Sequence, residues 1–207
     1  MSSVAFKSLE YGDGEAINAV ALVAGFDGRI AHFEQASVDL TAAGHDVVTY
    51  EYDNCVFLDG DGELLPNLIA DLSEDFLKRT GSYDTHGFAG ASLGAGIAWN
   101  MQKDAGDATR GLFAAVGTDA AKLVLQNKLF RSVVKTVHKV DTRKAFERRG
   151  YTLQDLQEAW STIQTPPITP FAVAYGSLDY IVRQREVSPK VAEWQKSNDI
   201  RVIKNNF

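Results

Sequence analysis

Apolar positions along this chain follow two rhythms in turn, short continuous runs and helical spacings. Ala16 to Val23 is a nearly continuous apolar run closed by Ala24-Gly25, which predicts a strand buried on both faces. From Arg29 to Ala43 the apolar residues Phe33, Ala36, Leu40 and Ala43 recur at helical spacing, and Gly44 stands where a helix end favours a left-handed residue. Val47 to Tyr52 is β-branched and aromatic, and Asp53-Asn54 closes it as a turn, so the three segments together predict a β-α-β unit. A polar loop through Asp59-Gly60-Asp61-Gly62 leads to a second helix over Leu65–Arg79, with Leu65, Ile69, Leu72 and Phe76 on one face and Pro66 in its first turn. Strands are expected over Thr85–Ala91 and Gly111–Gly117, with a helix over Leu93–Lys103 between them.

Strand and helix in alternation imply a mostly parallel sheet covered by helices on both faces, an α/β class. The alternation breaks after Gly117. A basic block from Asp119 to Gly150 is followed by an amphipathic helix over Thr152–Ile163 that aligns Leu153, Leu156, Trp160 and Ile163. Pro166, Pro167 and Pro170 mark the return to a strand over Ile168–Tyr175, a helix over Val187–Lys196 and a strand over Ile200–Lys204. The expected organisation is a core of residues 1–117 and 166–207 with residues 118–165 inserted as a helical lid.

Composition narrows the classes open to such a fold. With 207 residues, 45% hydrophobic and 23% charged, the chain is long enough for one sizeable core and too apolar for disorder. No apolar run approaches the roughly 20 residues of a membrane-spanning helix. The opening residues lack a basic stretch followed by an apolar one, and Cys55 is the single cysteine, so a reducing, cytoplasmic setting is expected. A net charge of -6 argues against a nucleic-acid partner. That charge is unevenly spread. From Asp119 to Arg149 nine basic residues stand against three acidic ones, a local +6, and against the total of -6 this leaves -12 for the rest. A basic segment set over an acidic body is more usually a solvated helix face; the alternative is that it attracts an anionic small-molecule substrate.

The candidate chemistry centres on Gly90-Ala91-Ser92-Leu93-Gly94, a G-x-S-x-G pentapeptide between a predicted strand and a predicted helix. A serine on so tight a turn needs small residues two positions before and after it, and the turn lifts its hydroxyl out at the sheet edge. The helix that follows aims its positive end at the site. The alternative for Ser92 is a small residue in the turn of another doubly wound fold. A nucleotide cradle is not indicated, because Gly90 to Gly96 lacks the Lys-Ser/Thr ending of a phosphate loop.

With these residues in this order the chain resembles the α/β-hydrolase family over nearly its whole length. The resemblance implies a serine nucleophile, Ser92, with two oxyanion donors, the backbone N–H groups of Leu93 and of Phe26 in Ala24-Gly25-Phe26-Asp27-Gly28. The family usually has His-Gly where this chain has Ala24-Gly25. It also implies an acid after the penultimate strand, for which Asp179 in Gly176-Ser177-Leu178-Asp179 is the candidate and Asp119 the runner-up. The family's base histidine follows the last strand, and no histidine lies beyond His138 in this sequence. Two expectations compete: that the chain is a piece of a longer protein carrying the base, or that it keeps the fold without the standard triad.

The histidines present have structural readings of their own. His32 is expected to cap or sit on the surface, His45 to face solvent beyond a helix end, and His86 to be structural at the strand end opposite Ser92. His138 belongs to the lid, and a swing over Ser92 is the lesser alternative to a structural place there. Asp53 and Asn54 read as a turn, and Cys55 as a half-buried structural thiol. No metal-ligand spacing is present and no cofactor is expected. The reading implied is a serine hydrolase that opens a carboxylic ester or thioester of a small, anionic acyl substrate through an acyl-enzyme. The alternative is an inactive hydrolase-like scaffold that binds a small molecule or a protein.

Overall fold

The structure is a computed structural model that describes residues 4–106, 109–115, 119–160, 170–176, 184–196 and 200–205. The buried run read from Ala16 becomes β2 (Asn18–Val23), but it is the second strand, because a strand with half-exposed residues, β1 (Phe6–Tyr11), precedes it. A 3-10 turn over Ile30–Phe33 leads into α1 (Glu34–Ala42), and β3 (Asp46–Tyr52) is buried at every position except Glu51. The polar stretch after it holds a short helix, α2 (Cys55–Leu58), that sequence patterning does not show. Next come α3 (Leu64–Thr80), β4 (Thr85–Ala91), α4 (Leu93–Asp104) and β5 (Thr109–Ala114). All four residues of the predicted α3 stripe are buried.

Residues 119–160 fold into four helices. These are α5 (Ala120–Gln126), α6 (Lys128–His138), α7 (Thr142–Arg148) and α8 (Leu153–Ala159). Each starts on a side chain that accepts a backbone N–H of the first turn: Asp119, Asn127, Asp141 and Thr152. Trp160, just past α8, is fully buried and donates its indole N–H to Gly62 O at 2.8 Å, which seals these helices to the loop before α3. Beside it Phe146 stands edge-on at 5.9 Å. The chain then returns through β6 (Phe171–Gly176), α9 (Gln184–Trp194) and β7 (Ile200–Asn205).

Among the described residues the strands form one seven-stranded sheet in the order β1-β3-β2-β4-β5-β6-β7. Only the β1–β3 pair is antiparallel; the other five pairs are parallel. In parallel strands the carboxyl ends share one sheet edge, and loops there build sites. Val23 of β2 lies beside Gly90 of β4, and Ala91 beside Ala114 of β5, so the loops after β2, β4 and β5 meet at that edge.

The core is dense beneath it. Trp99 of α4 packs against Phe113, Phe171 and Trp194 with ring centroids 5.0–5.3 Å apart, joining α4, β5, β6 and α9. Phe76 of α3 packs on Phe88 of β4 at 5.2 Å on the same face of the sheet. Among the described residues no helix is long and apolar enough to cross a membrane.

Candidate active site

Ser92 is the single residue between β4 and α4, and its backbone is at φ 55°, ψ -126°. Side chains rarely occupy that region, and a residue held there stores about 1–3 kcal/mol of strain. Its surroundings hold it. The Ser92 N–H donates to Ala114 O at 2.8 Å, across to the end of β5, and the Ser92 carbonyl accepts from Ala95 N–H at 3.1 Å.

Glycine at both motif positions is a matter of space. A Cβ on Gly90 would stand 2.4 Å from Gly94 O, and one on Gly94 would stand 2.2 Å from Ala24 O and 2.4 Å from Val23 O. Gly25 carries a similar constraint, since its Cβ would come within 2.9 Å of Ala91 O and 3.4 Å of Ser92 Cβ. The loop after β2 therefore lies directly against the serine turn. Leu93, the first residue of α4, has one of the first-turn N–H groups that a helix cannot satisfy internally.

Phe26 sits in the tight turn Gly25–Gly28, closed by Gly28 N–H to Gly25 O at 2.9 Å. Its ring lies among Phe57 of α2 at 6.2 Å, Phe130 of α6 at 5.4 Å and His138 at 5.2 Å. The next residue, Asp27, has φ 56° and is bound on both carboxylate oxygens. Asn54 donates to Oδ1 at 2.6 Å, and His138 Nε2 meets Oδ2 at 2.8 Å. The Asp27 N–H in turn donates to Asn54 Oδ1 at 3.2 Å. Tyr52, at the end of β3, has a buried hydroxyl with no hydrogen-bond partner among the described residues; burial first, and the charge of Asp27 second, push its pKa up.

The remaining candidates fall as follows. Asp179 lies outside the described residues, as does Ile163. Asp119 is a helix cap: it accepts from Lys122 N–H at 2.9 Å and from Gln157 Nε2 at 2.7 Å, which uses its carboxylate to start α5 and tie it to α8. His32 Nδ1 accepts the Arg29 N–H at 3.2 Å, a capping role. His86 bonds Thr80 O at 2.9 Å and packs on Phe76, at the end of β4 away from Ser92. His45 is half-buried, where sequence suggests solvent, because it leads directly into buried Asp46 and Val47 of β3. Cys55 is half-buried, and burial followed by the charges of Asp53 and Asp59 pushes its thiol up to about 11, which suits a structural residue.

Asn54 is more than a turn former, since it joins α2 to the loop after β2. Its pairing with Asp27 spans residues with no periodic relation, so no local pattern announces it. Among the described residues no group of three or more His, Cys, Asp and Glu side chains is placed to hold a metal ion.

No family model and no curated protein sequence matches this chain, and the likenesses found are of three-dimensional structure. An esterase from Pyrococcus furiosus superposes with a TM-score of 0.64 at 16% identity, over 99% of this chain and 83% of that one. An α/β-hydrolase enzyme from a sediment metagenome of the Mar Chica lagoon, Morocco, gives a TM-score of 0.63 at 15% identity, over 99% of this chain and 88% of that one. The α/β-hydrolase domain-containing protein 10 of mouse gives 0.56 at 18% identity, over 98% of this chain and 84% of that one. At such identities what is shared is architecture, and the architecture of this chain is the α/β-hydrolase fold.

Proposed function

We propose that the chain is a serine hydrolase that cleaves a carboxylic ester or thioester, with Ser92 as its nucleophile. The observation that carries the reading is the strained backbone of Ser92 at the carboxyl edge of the sheet, with Gly25 packed against it. Strain of this kind persists where the surroundings over-determine it, and such places cluster at functional sites. Esterases among the structural likenesses support the same class.

In this reading Ser92 Oγ attacks the acyl carbon, the carbonyl π pair moves to oxygen, and the Phe26 and Leu93 N–H groups stabilise the oxyanion. Collapse expels the alcohol or thiol, which takes a proton, and leaves the acyl group on Ser92. Water then adds to the acyl-enzyme and releases the acid. Asp179 is the acid proposed to orient the base that receives the Ser92 proton.

In this reading the helices of residues 119–160 serve as the lid. In it Lys128, Lys135, Lys139, Lys144 and Arg148 form no ion pair among the described residues, whereas Lys122, Arg131, Arg143 and Arg149 pair with Asp119, Asp141, Glu147 and Asp61. The unpaired cations support an anionic acyl substrate.

A second reading has its own observation: among the described residues no hydrogen bond joins a histidine to Ser92 Oγ. A hydrolase-shaped scaffold that binds a small molecule or protein without turnover fits that fact. Fluorophosphonate labelling read by intact mass, wild type against Ser92→Ala, decides between them. An adduct that depends on Ser92 is expected. Its absence, with and without added imidazole as a substitute base, favours the scaffold.

A further inference from the structure

We infer that His138, acting through Asp27, is a positioning residue that sets the oxyanion loop and ties it to the helical segment above; this rests on the serine-hydrolase reading. The loop itself poses the question. Gly25–Gly28 is a turn closed by its first carbonyl and last N–H, and its third residue, Asp27, has positive φ. Turns of that form place glycine or asparagine at the third position, because a Cβ is disfavoured there. This chain places an aspartate there, and that residue needs an external hold.

Its carboxylate is gripped from two elements far apart in sequence. Asn54 takes Oδ1 at the start of α2, and His138 takes Oδ2 at the end of α6. His138 also stands edge-on to the ring of Phe26, 5.2 Å between centroids, so one side chain touches both central residues of the turn. The proposed oxyanion donor is the N–H of the peptide joining Gly25 to Phe26, and the tilt of the turn aims it. Gly25 packs against Ser92 closely enough that a tilt of the loop moves the donor relative to the serine.

The test compares wild type with His138→Ala and His138→Gln, the latter keeping a side-chain N–H for Asp27. Two readouts are taken: hydrolysis of p-nitrophenyl acetate, and amide hydrogen exchange over residues 25–28. His138→Ala is expected to lower kcat by about 10- to 100-fold, the scale of a small misplacement of a catalytic group, with KM within about twofold. Exchange over the turn should quicken, and His138→Gln should restore most of both. If His138→Ala leaves both kcat and exchange unchanged while hydrolysis depends on Ser92, the inference falls and the hydrolase reading stands. If His138→Ala removes activity as completely as Ser92→Ala and Gln gives no rescue, His138 is the base and the positioning role is overturned. If exchange responds as expected but wild type shows no turnover dependent on Ser92, the tie to the loop holds and the hydrolase reading is what fails.

Discussion

At Ser92 stability and the proposed chemistry pull against each other. The backbone at φ 55° is open to glycine without steric cost, so Ser92→Gly relieves about 1–3 kcal/mol of strain and gives back part of it in unfolded-chain entropy. A net gain of about 1 kcal/mol in urea unfolding is expected, together with loss of ester hydrolysis. Ser92→Ala keeps the strain, and should leave the urea midpoint nearly unchanged while losing the same activity. Ser92 was readable because its constraint is local: two glycines, two residues away on each side, each with no room for a Cβ. Asp27, Asn54 and His138 were not readable as a set. Their meeting depends on how α2 and α6 come to rest on the loop after β2, and spacings of 27 and 111 residues carry no periodic signal.

Among the elements, legibility followed burial. β3 and α3 are legible because their apolar residues face the core, whereas β1 is not, because Lys7, Leu9 and Glu10 are exposed and its alternation is diluted. The strand expected from Gly111 starts two residues earlier for a related reason: the apolar run, exposed Leu112 included, begins at Gly111, while β5 begins at polar Thr109 and Arg110. The basic block shows the opposite case. Its charge marked a separate layer, but its division into helices was written in the caps Asn127 and Asp141, which charge counting passes over. That layer is anchored to the core at Trp160. Trp160→Phe removes the indole N–H, leaves the buried Gly62 carbonyl without its donor, and should cost about 2 kcal/mol in chemical denaturation. A change under 0.5 kcal/mol would show that the indole bond contributes little to holding the helices down.

For the molecule as a whole, ionisation at the sheet end remote from Ser92 sets a pH dependence. Burial pushes the Lys103 amine down to about 8 from its ordinary 10.5, with Asp104 opposing. The unfolded chain therefore binds more protons than the folded one between those values, and the contribution of Lys103 to stability rises with pH across that window. Measured by calorimetry at pH 7 and pH 10, the thermal midpoint of wild type relative to Lys103→Met should move in favour of wild type at the higher pH. An unchanged difference would mean that the amine titrates normally in the fold. Taking the difference between the two proteins removes the contribution of Cys55, whose raised thiol works in the reverse sense as pH climbs from about 9 to about 11.

The aromatic packing under the sheet gives the molecule two separate optical signatures. Trp99 and Trp194 lie 5.0 Å apart at 60°, close and skewed enough for their indole transitions to couple and to rotate polarised light as a pair. Trp160 completes the chain's three tryptophans and stands by itself among the helices, beside Phe146. Circular dichroism of the coupled pair thus reports the closure of the central layer. Emission from Trp160, isolated by replacing the other two, reports whether the upper helices are seated.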